Sequence, residues 1–275
     1  MNNFNIQRFG KVFSRLMMIN KREYIKGFLG FTLIFAAIFV LSCNPFRGEA
    51  LTAAEYVDRL AGASTVYAII LGFIFVISGS LVINDLKNKQ LKIGEFMLPA
   101  TNLEKFVARL LSATVLTMFL ALLAFFAGDL LQMVFNMLLH KGTYASVTGM
   151  AVDVIKEFKE VVFANEELYT STIVFGAVMI NTLGLYILGG MLFRKMAGLW
   201  TSVALVILSN IFGALFFGFA YVLDRYTDYV VVIEDSTYMK CLTWGFIAVT
   251  TIGSVYLAYR IFCKMQAVNT RWLNV

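Results

Sequence analysis

Between Asp85 and Arg109 the chain gathers charge, a proline and a helix-start signal into one stretch flanked by two apolar runs. Lys87, Lys89, Lys92, Lys105 and Arg109 are basic, and Asp85, Glu95 and Glu104 are acidic. Pro99 cannot extend a preceding helix and biases Leu98 away from helical geometry. Thr101 and Glu104 form a T-x-x-E capping box, which predicts a new helix from Asn102 into the next apolar run. What these residue types offer is docking rather than catalysis. A rigid turn that carries both apolar and charged groups can receive push from a soluble partner, and Glu95, Leu98, Pro99, Thr101, Glu104 and Lys105 are the expected contacts.

Other chemistries lack their residues. The sequence has no G-x-x-x-x-G-K-[ST], so it carries no phosphate-cradling loop of its own. Its single histidine, His140, falls at or beyond the predicted outer boundary, which argues against a membrane-embedded metal site or a histidine-dependent hydrolase. Cys43, Cys241 and Cys263 include no CxxC. Cys43 and Cys241 would lie near the same membrane face and could pair, but small apolar fillers are the simpler reading. No acid or base falls in the middle of an apolar run, where one costs about 2.5–3.5 kcal/mol on insertion scales. Carriers driven by ion gradients generally need such groups. Neutral polar residues do occur there, and Asn181 and Asn210, amides at mid-depth, are the best candidates to face a substrate path; interhelical hydrogen bonding is the competing role for each.

These groups need a frame, and composition names it. Of 275 residues, 60% are hydrophobic and 15% charged, against roughly 25% charged in a soluble domain. The chain reads as an all-α, multi-pass membrane protein with six transmembrane helices, at 27–43, 64–84, 107–128, 171–193, 197–223 and 241–263. The shortest has enough residues to cross about 30 Å of hydrocarbon. Residues 1–26 form an amphipathic helix suited to the headgroup region, with Phe9, Val12, Phe13, Leu16 and Met17 on one side and Arg8, Lys11 and Arg15 on the other. Val40-Leu41-Ser42-Cys43 faintly resembles a lipoprotein cleavage box, but the long basic region before it and the five spans after it argue against cleavage.

Residues 44–63 read as a polar connection, 85–106 as the loop just described, and 264–275 as a short basic tail. After span three, Asp129, Gln132, Asn136 and His140 recur at spacings that put them on one helical face. That stripe reads either as the lining of an outer vestibule or as a helix end solvated outside the membrane. In 141–170, Asp153, Glu157 and Glu160 alternate with Val154, Phe158, Val161 and Val162, an amphipathic helix packed on the outer face. Arg194-Lys195-Met196 is too short to cross a membrane, so spans four and five make a helical hairpin. Residues 224–240 form a second acidic connection.

Charge sets the expected orientation. The N-terminal segment, the 85–109 stretch, the Arg194-Lys195 turn and the C-terminal end hold 16 of the 23 basic residues and 4 of the 17 acids. The positive-inside rule therefore predicts both termini in the cytoplasm.

Two stretches carry a resemblance to a known family. Glu95-Phe-Met-Leu-Pro-Ala-Thr-Asn-Leu-Glu-Lys-Phe106 is similar to the LPAS-x-x-EK segment of ABC-2-type ABC transporter permeases, of the small kind common in Bacteroidetes, with Thr101 where a serine is more usual. Leu188-Gly-Gly-Met-Leu-Phe-Arg-Lys195 followed by Leu199-Trp-Thr201 resembles their turn between spans four and five. The resemblance implies a permease subunit of an ATP-driven exporter in the bacterial inner membrane. It also implies a dimer with itself or a related permease, a separate ABC ATPase subunit that binds ATP and Mg, and 85–106 as the coupling loop. The chain itself would be no enzyme and bind no cofactor, and no nucleic acid is expected as partner. A non-transporting membrane scaffold or sensor that docks a cytoplasmic partner through the same loop is the alternative.

Overall fold

The computed structural model describes residues 4–43, 52–87, 89–139, 145–193, 195–226 and 237–265. Nearly all of these are helical: α1 (Ile6–Ser42), α2 (Ala53–Ser78), α3 (Lys89–Phe96), α4 (Asn102–Leu111), α5 (Thr117–Leu139), α6 (Val147–Ala164), α7 (Glu166–Leu192), α8 (Ala197–Tyr226) and α9 (Thr237–Lys264). Short 3-10 turns at Gly79–Leu81 and Asp85–Lys87 lead out of α2, and a π-helical turn at Ser112–Leu116 joins α4 to α5. Six helical runs are long and apolar enough to cross a membrane: Ile6–Ser42, Val57–Leu81, Asn102–Leu138, Glu166–Leu192, Ala197–Tyr226 and Lys240–Lys264. His140, Pro45, Arg194, Arg271 and most of the 224–240 connection lie outside the described residues.

The amphipathic stretch and the first span are one helix. α1 runs 37 residues without a break, about 55 Å at 1.5 Å per residue, against about 30 Å of hydrocarbon. Both prolines of the chain, Pro45 and Pro99, lie outside it, so nothing forces a bend. Asn5 caps its start, its side-chain oxygen accepting from the backbone N–H of Gln7 and Arg8. The second span is also longer than its apolar run. α2 begins at Ala53, where Thr52 and Glu55 form a second capping box, so half of the expected polar connection is helix.

Two apolar cores sit at opposite ends. One joins α1, α2, α5 and α6 through Phe35, Phe39, Leu60, Tyr67 and Phe125, all buried. The Tyr67 and Phe125 rings stack at 4.0 Å, and Phe35 meets Tyr67 edge-on at 4.8 Å. The other joins the end of α2, α4, α7 and α9 through Val82, Ile83, Phe106, Ile187, Met191 and Phe262. Among membrane helices the drive is close packing rather than water exclusion, so small residues mark the crossings. A Cβ on Gly190 would lie 2.9 Å from the Ser80 backbone, and one on Gly189 would collide with the Thr201 side chain of α8. The paired glycines let α7 touch both neighbours at once.

Away from that crossing α8 stands almost alone. Its buried residues are Ala197 and Thr201, in its first two turns, where Tyr186 and Ser202 share a hydrogen bond of 2.6 Å. The turn before it closes with Met196 at φ 47°. Replacing Gly190 with valine should abolish recovery of folded, monodisperse protein, whereas Gly213→Ala on α8, which has nothing within 4 Å of an added Cβ, should leave it unchanged. Size-exclusion profiles and melting curves in detergent check both.

Candidate functional site

The stretch from Asp85 to Arg109 folds as an ordered elbow. α3 ends at Phe96, the chain bends through Pro99, and Thr101 starts α4. The capping box forms as expected: Thr101 Oγ1 accepts from the Glu104 N–H at 3.2 Å, and the Thr101 N–H donates to Glu104 Oε2 at 3.0 Å. Pro99 sits in the bend, where its missing N–H costs no helical hydrogen bond.

The elbow's centre is Arg109, which is 3% exposed. Its guanidinium meets Glu95 with two nitrogens, Nε at 3.1 Å from Oε1 and Nη2 at 3.0 Å from Oε2, and Asp85 with a third, Nη1 at 2.5 Å from Oδ1. A planar fork suits this double carboxylate grip. One side chain of α4 thus holds both α3 and the turn that follows α2. Lys92 and Lys105 are buried close by, and Lys105 feels both the attraction of Glu95 and the repulsion of Arg109.

α1 braces the elbow from outside. Glu104, fully buried, accepts from the backbone N–H of Asn5 at 2.8 Å and from Arg8 Nη2 at 2.9 Å. Arg15 Nη1 donates to the Gly94 carbonyl at 3.5 Å, Asn20 Nδ2 to Asp85 at 3.4 Å, and the Tyr24 and Ser112 hydroxyls share a hydrogen bond of 2.5 Å. Val12 and Leu16 are buried between these contacts. The polar side of α1 is therefore turned in part onto the elbow, with Arg8 and Arg15 engaged inside the chain.

Of the six expected contact residues, Glu95, Glu104 and Lys105 are buried, and the two carboxylates are committed to Arg109, Arg8 and the Thr101 cap. Thr101 is spent on the cap, Leu98 is half-buried, and Pro99 is exposed. The groups the elbow turns outward are Phe96, Met97, Asn102 and Leu103, with Met97 79% exposed. Arg109 was legible as a charge in the stretch but not as its hub, because its partners lie 24 and 14 residues earlier.

Asn181 and Asn210 do not share a site. Asn181 Oδ1 accepts from Thr250 at 3.0 Å and from Thr251 at 3.2 Å, tying α7 to α9. Asn210 donates to its own helix at the Val206 carbonyl, 2.7 Å, and is exposed on α8. At the far end of α5, Asp129, Gln132 and Asn136 are all buried, so these three members of the stripe form neither a vestibule nor a wet helix end. Asp129 accepts from Ser146 Oγ at 2.9 Å and from the N–H groups of Val147 and Thr148 at 3.0 Å each, capping α6. Gln132 donates to Asp129 and to the Ala145 carbonyl, and Asn136 to Gln132. No disulfide joins Cys43, Cys241 or Cys263; Cys43 is buried, with Asn136 Nδ2 3.7 Å from its sulfur.

Among the described residues no cluster of histidine, cysteine and carboxylate groups has the makings of a metal site. Removing the Arg109 charge would leave Asp85 and Glu95 face to face, so Arg109→Met should cost about 3–5 kcal/mol. Arg109→Lys, a point charge without the fork, should recover only part of the loss. Detergent melting curves read both; an unchanged midpoint for Arg109→Met would contradict the hub. Comparison of the chain with protein-family models, curated proteins and solved structures finds no match.

Proposed function

We propose that the chain is the membrane-spanning permease subunit of an ATP-driven exporter, of the ABC-2 kind that its Glu95–Phe106 and Leu188–Thr201 stretches resemble. It would lie in the bacterial inner membrane with both termini in the cytoplasm. The observation that carries this reading is the elbow. It is rigid, it is tied by buried ion pairs and hydrogen bonds to the first three spans, and it turns apolar side chains outward. A push on Phe96, Met97 or Leu103 would reach α1 through Glu104 and Arg15, the end of α2 through Asp85, and α4 through Arg109. Transmission needs such stiffness; a slack loop would absorb the motion.

The partner would be an ABC ATPase that binds ATP and Mg and performs the hydrolysis, since this sequence has no phosphate-cradling loop. Its contacts would be the outward apolar groups with Pro99, and Glu95, Leu98, Thr101, Glu104 and Lys105 would hold that surface in shape. A second membrane subunit, identical or related, would pack on α8. There the exposed face carries Ser209 and Asn210, polar groups that hydrocarbon serves poorly.

Purification in mild detergent through a C-terminal tag is the direct test. A P-loop ATPase at one copy per permease is the expected companion, and Met97→Glu combined with Leu103→Glu should lose it without lowering the melting point. Retention of the ATPase by that double variant would overturn the surface. A clean chain with no nucleotide-binding companion, across detergents and nanodiscs, would favour the scaffold or sensor reading.

A further inference from the structure

A groove of about 650 Å³ runs along α1 on the elbow's side of the bundle, between α1, the end of α2 and the π turn. Ligand sites typically enclose about 300–1,000 Å³. Its two ends differ in chemistry. Toward the elbow it is lined by Asn20, Arg22 and Asn84, and toward the bundle's middle by Phe28, Phe31 and Leu120. Along α1, Asn20 to Phe31 spans about 16 Å at 1.5 Å per residue. One leaflet of a bilayer holds about half of the 30 Å hydrocarbon core. The groove therefore has the length and the polarity gradient of a single leaflet.

Its floor is built from small residues. Gly27, Ser112 and Ala113 line it, and the π turn bulges the α4–α5 run at the level of Ser112. Tyr24 closes one side through its hydrogen bond to Ser112. An added Cβ on Gly27 meets nothing within 4 Å, so the space beside it is open. At the mouth, Glu23 is paired with Lys26 at 2.9 Å, and Asp85 with Arg109. Arg22 makes no ion pair among the described residues, and it is exposed beside Lys21. A cation at headgroup level above an apolar slot selects a phosphate joined to an acyl chain.

We infer that this groove holds one anionic phospholipid, its phosphate at Arg22, the rest of its polar headgroup toward Asn20 and Asn84, and one acyl chain along Phe28 and Phe31. The site is part of the membrane body and does not depend on what docks on the elbow. Bound there, the lipid fills the space between α1 and the π turn and braces the helix that braces the elbow.

The test uses the full chain in dodecyl maltoside, delipidated and titrated with phosphatidylglycerol or phosphatidylcholine, with retained lipid counted by native mass spectrometry. One phosphatidylglycerol per chain should be held saturably, in preference to phosphatidylcholine. Gly27→Leu starts its side chain in the open space beside the groove and favours helix, and it should weaken that first binding event by about tenfold. Gly30→Leu, also open but outside the groove, should leave it unchanged. Arg22→Gln, on an exposed position, should erase the preference for phosphatidylglycerol while the chain stays folded. Equal retention of the two lipids by the unaltered chain, non-saturable uptake, or equal binding by the Gly27→Leu and Gly30→Leu variants would overturn the inference.

Discussion

The grip of Arg109 on Asp85 and Glu95 is the constraint from which the elbow's geometry follows. Two buried charges, Arg109 and Glu95, and the half-buried Asp85 meet at the rim of a membrane body, and burial of this kind is tolerable only when each carboxylate meets a donor. Satisfying them fixes where α3 lies, how the chain leaves α2, and which face of α4 turns inward. Once that is set, Glu104 is presented to Asn5 and Arg8, and α1 can lie along the elbow for several turns. The charged residues of the stretch thus build the elbow, and its outward surface is left to apolar side chains.

The opposite end repeats the principle with a different partner. Asp129 spends its lone pairs on the start of α6, and Gln132 and Asn136 extend the contact inward. At both ends a buried carboxylate converts loose polypeptide into fixed structure, by a guanidinium at one and by orphan helix N–H groups at the other. The middle relies on fit: the Gly189–Gly190 pair admits two neighbours to the α7 backbone, and Asn181 links α7 to α9.

Local signals in the sequence were reliable where both members of an interaction sit a turn apart. The Thr101–Glu104 box is such a case, and the six apolar runs are another, since length and composition alone identify them. Thr52 and Glu55 carry the same signal and extend α2 into what composition marks as a connection. Periodicity put Asp129, Gln132 and Asn136 on one face but could not say what that face meets, because the answer lies in residues 13 to 19 positions further on. The roles of Arg109 and Glu104 were hidden for the same reason: Asn5 is 99 residues from Glu104. The N-terminal amphipathic pattern, with no break signal after it, was equally compatible with a surface helix and with the continuous rod that the chain forms.

The π turn at Ser112–Leu116 has a consequence for evolution of this chain. A π turn is an α-helix with one residue too many, and each residue of an α-helix advances the phase by 100°. Elsewhere between Arg109 and Asp129, losing a single residue would turn the remainder of the helix by more than a quarter of a revolution relative to α4. Losing one inside the π turn would restore an ordinary α-helical turn and leave that phase nearly unchanged. After a loss in the regular helix Arg109 would keep its carboxylates while Asp129, Gln132 and Asn136 swung away from α6, whereas after a loss inside the π turn both ends would keep their partners. The π turn is therefore a place where the length of this run can change by one residue without altering the clocking between the two ends.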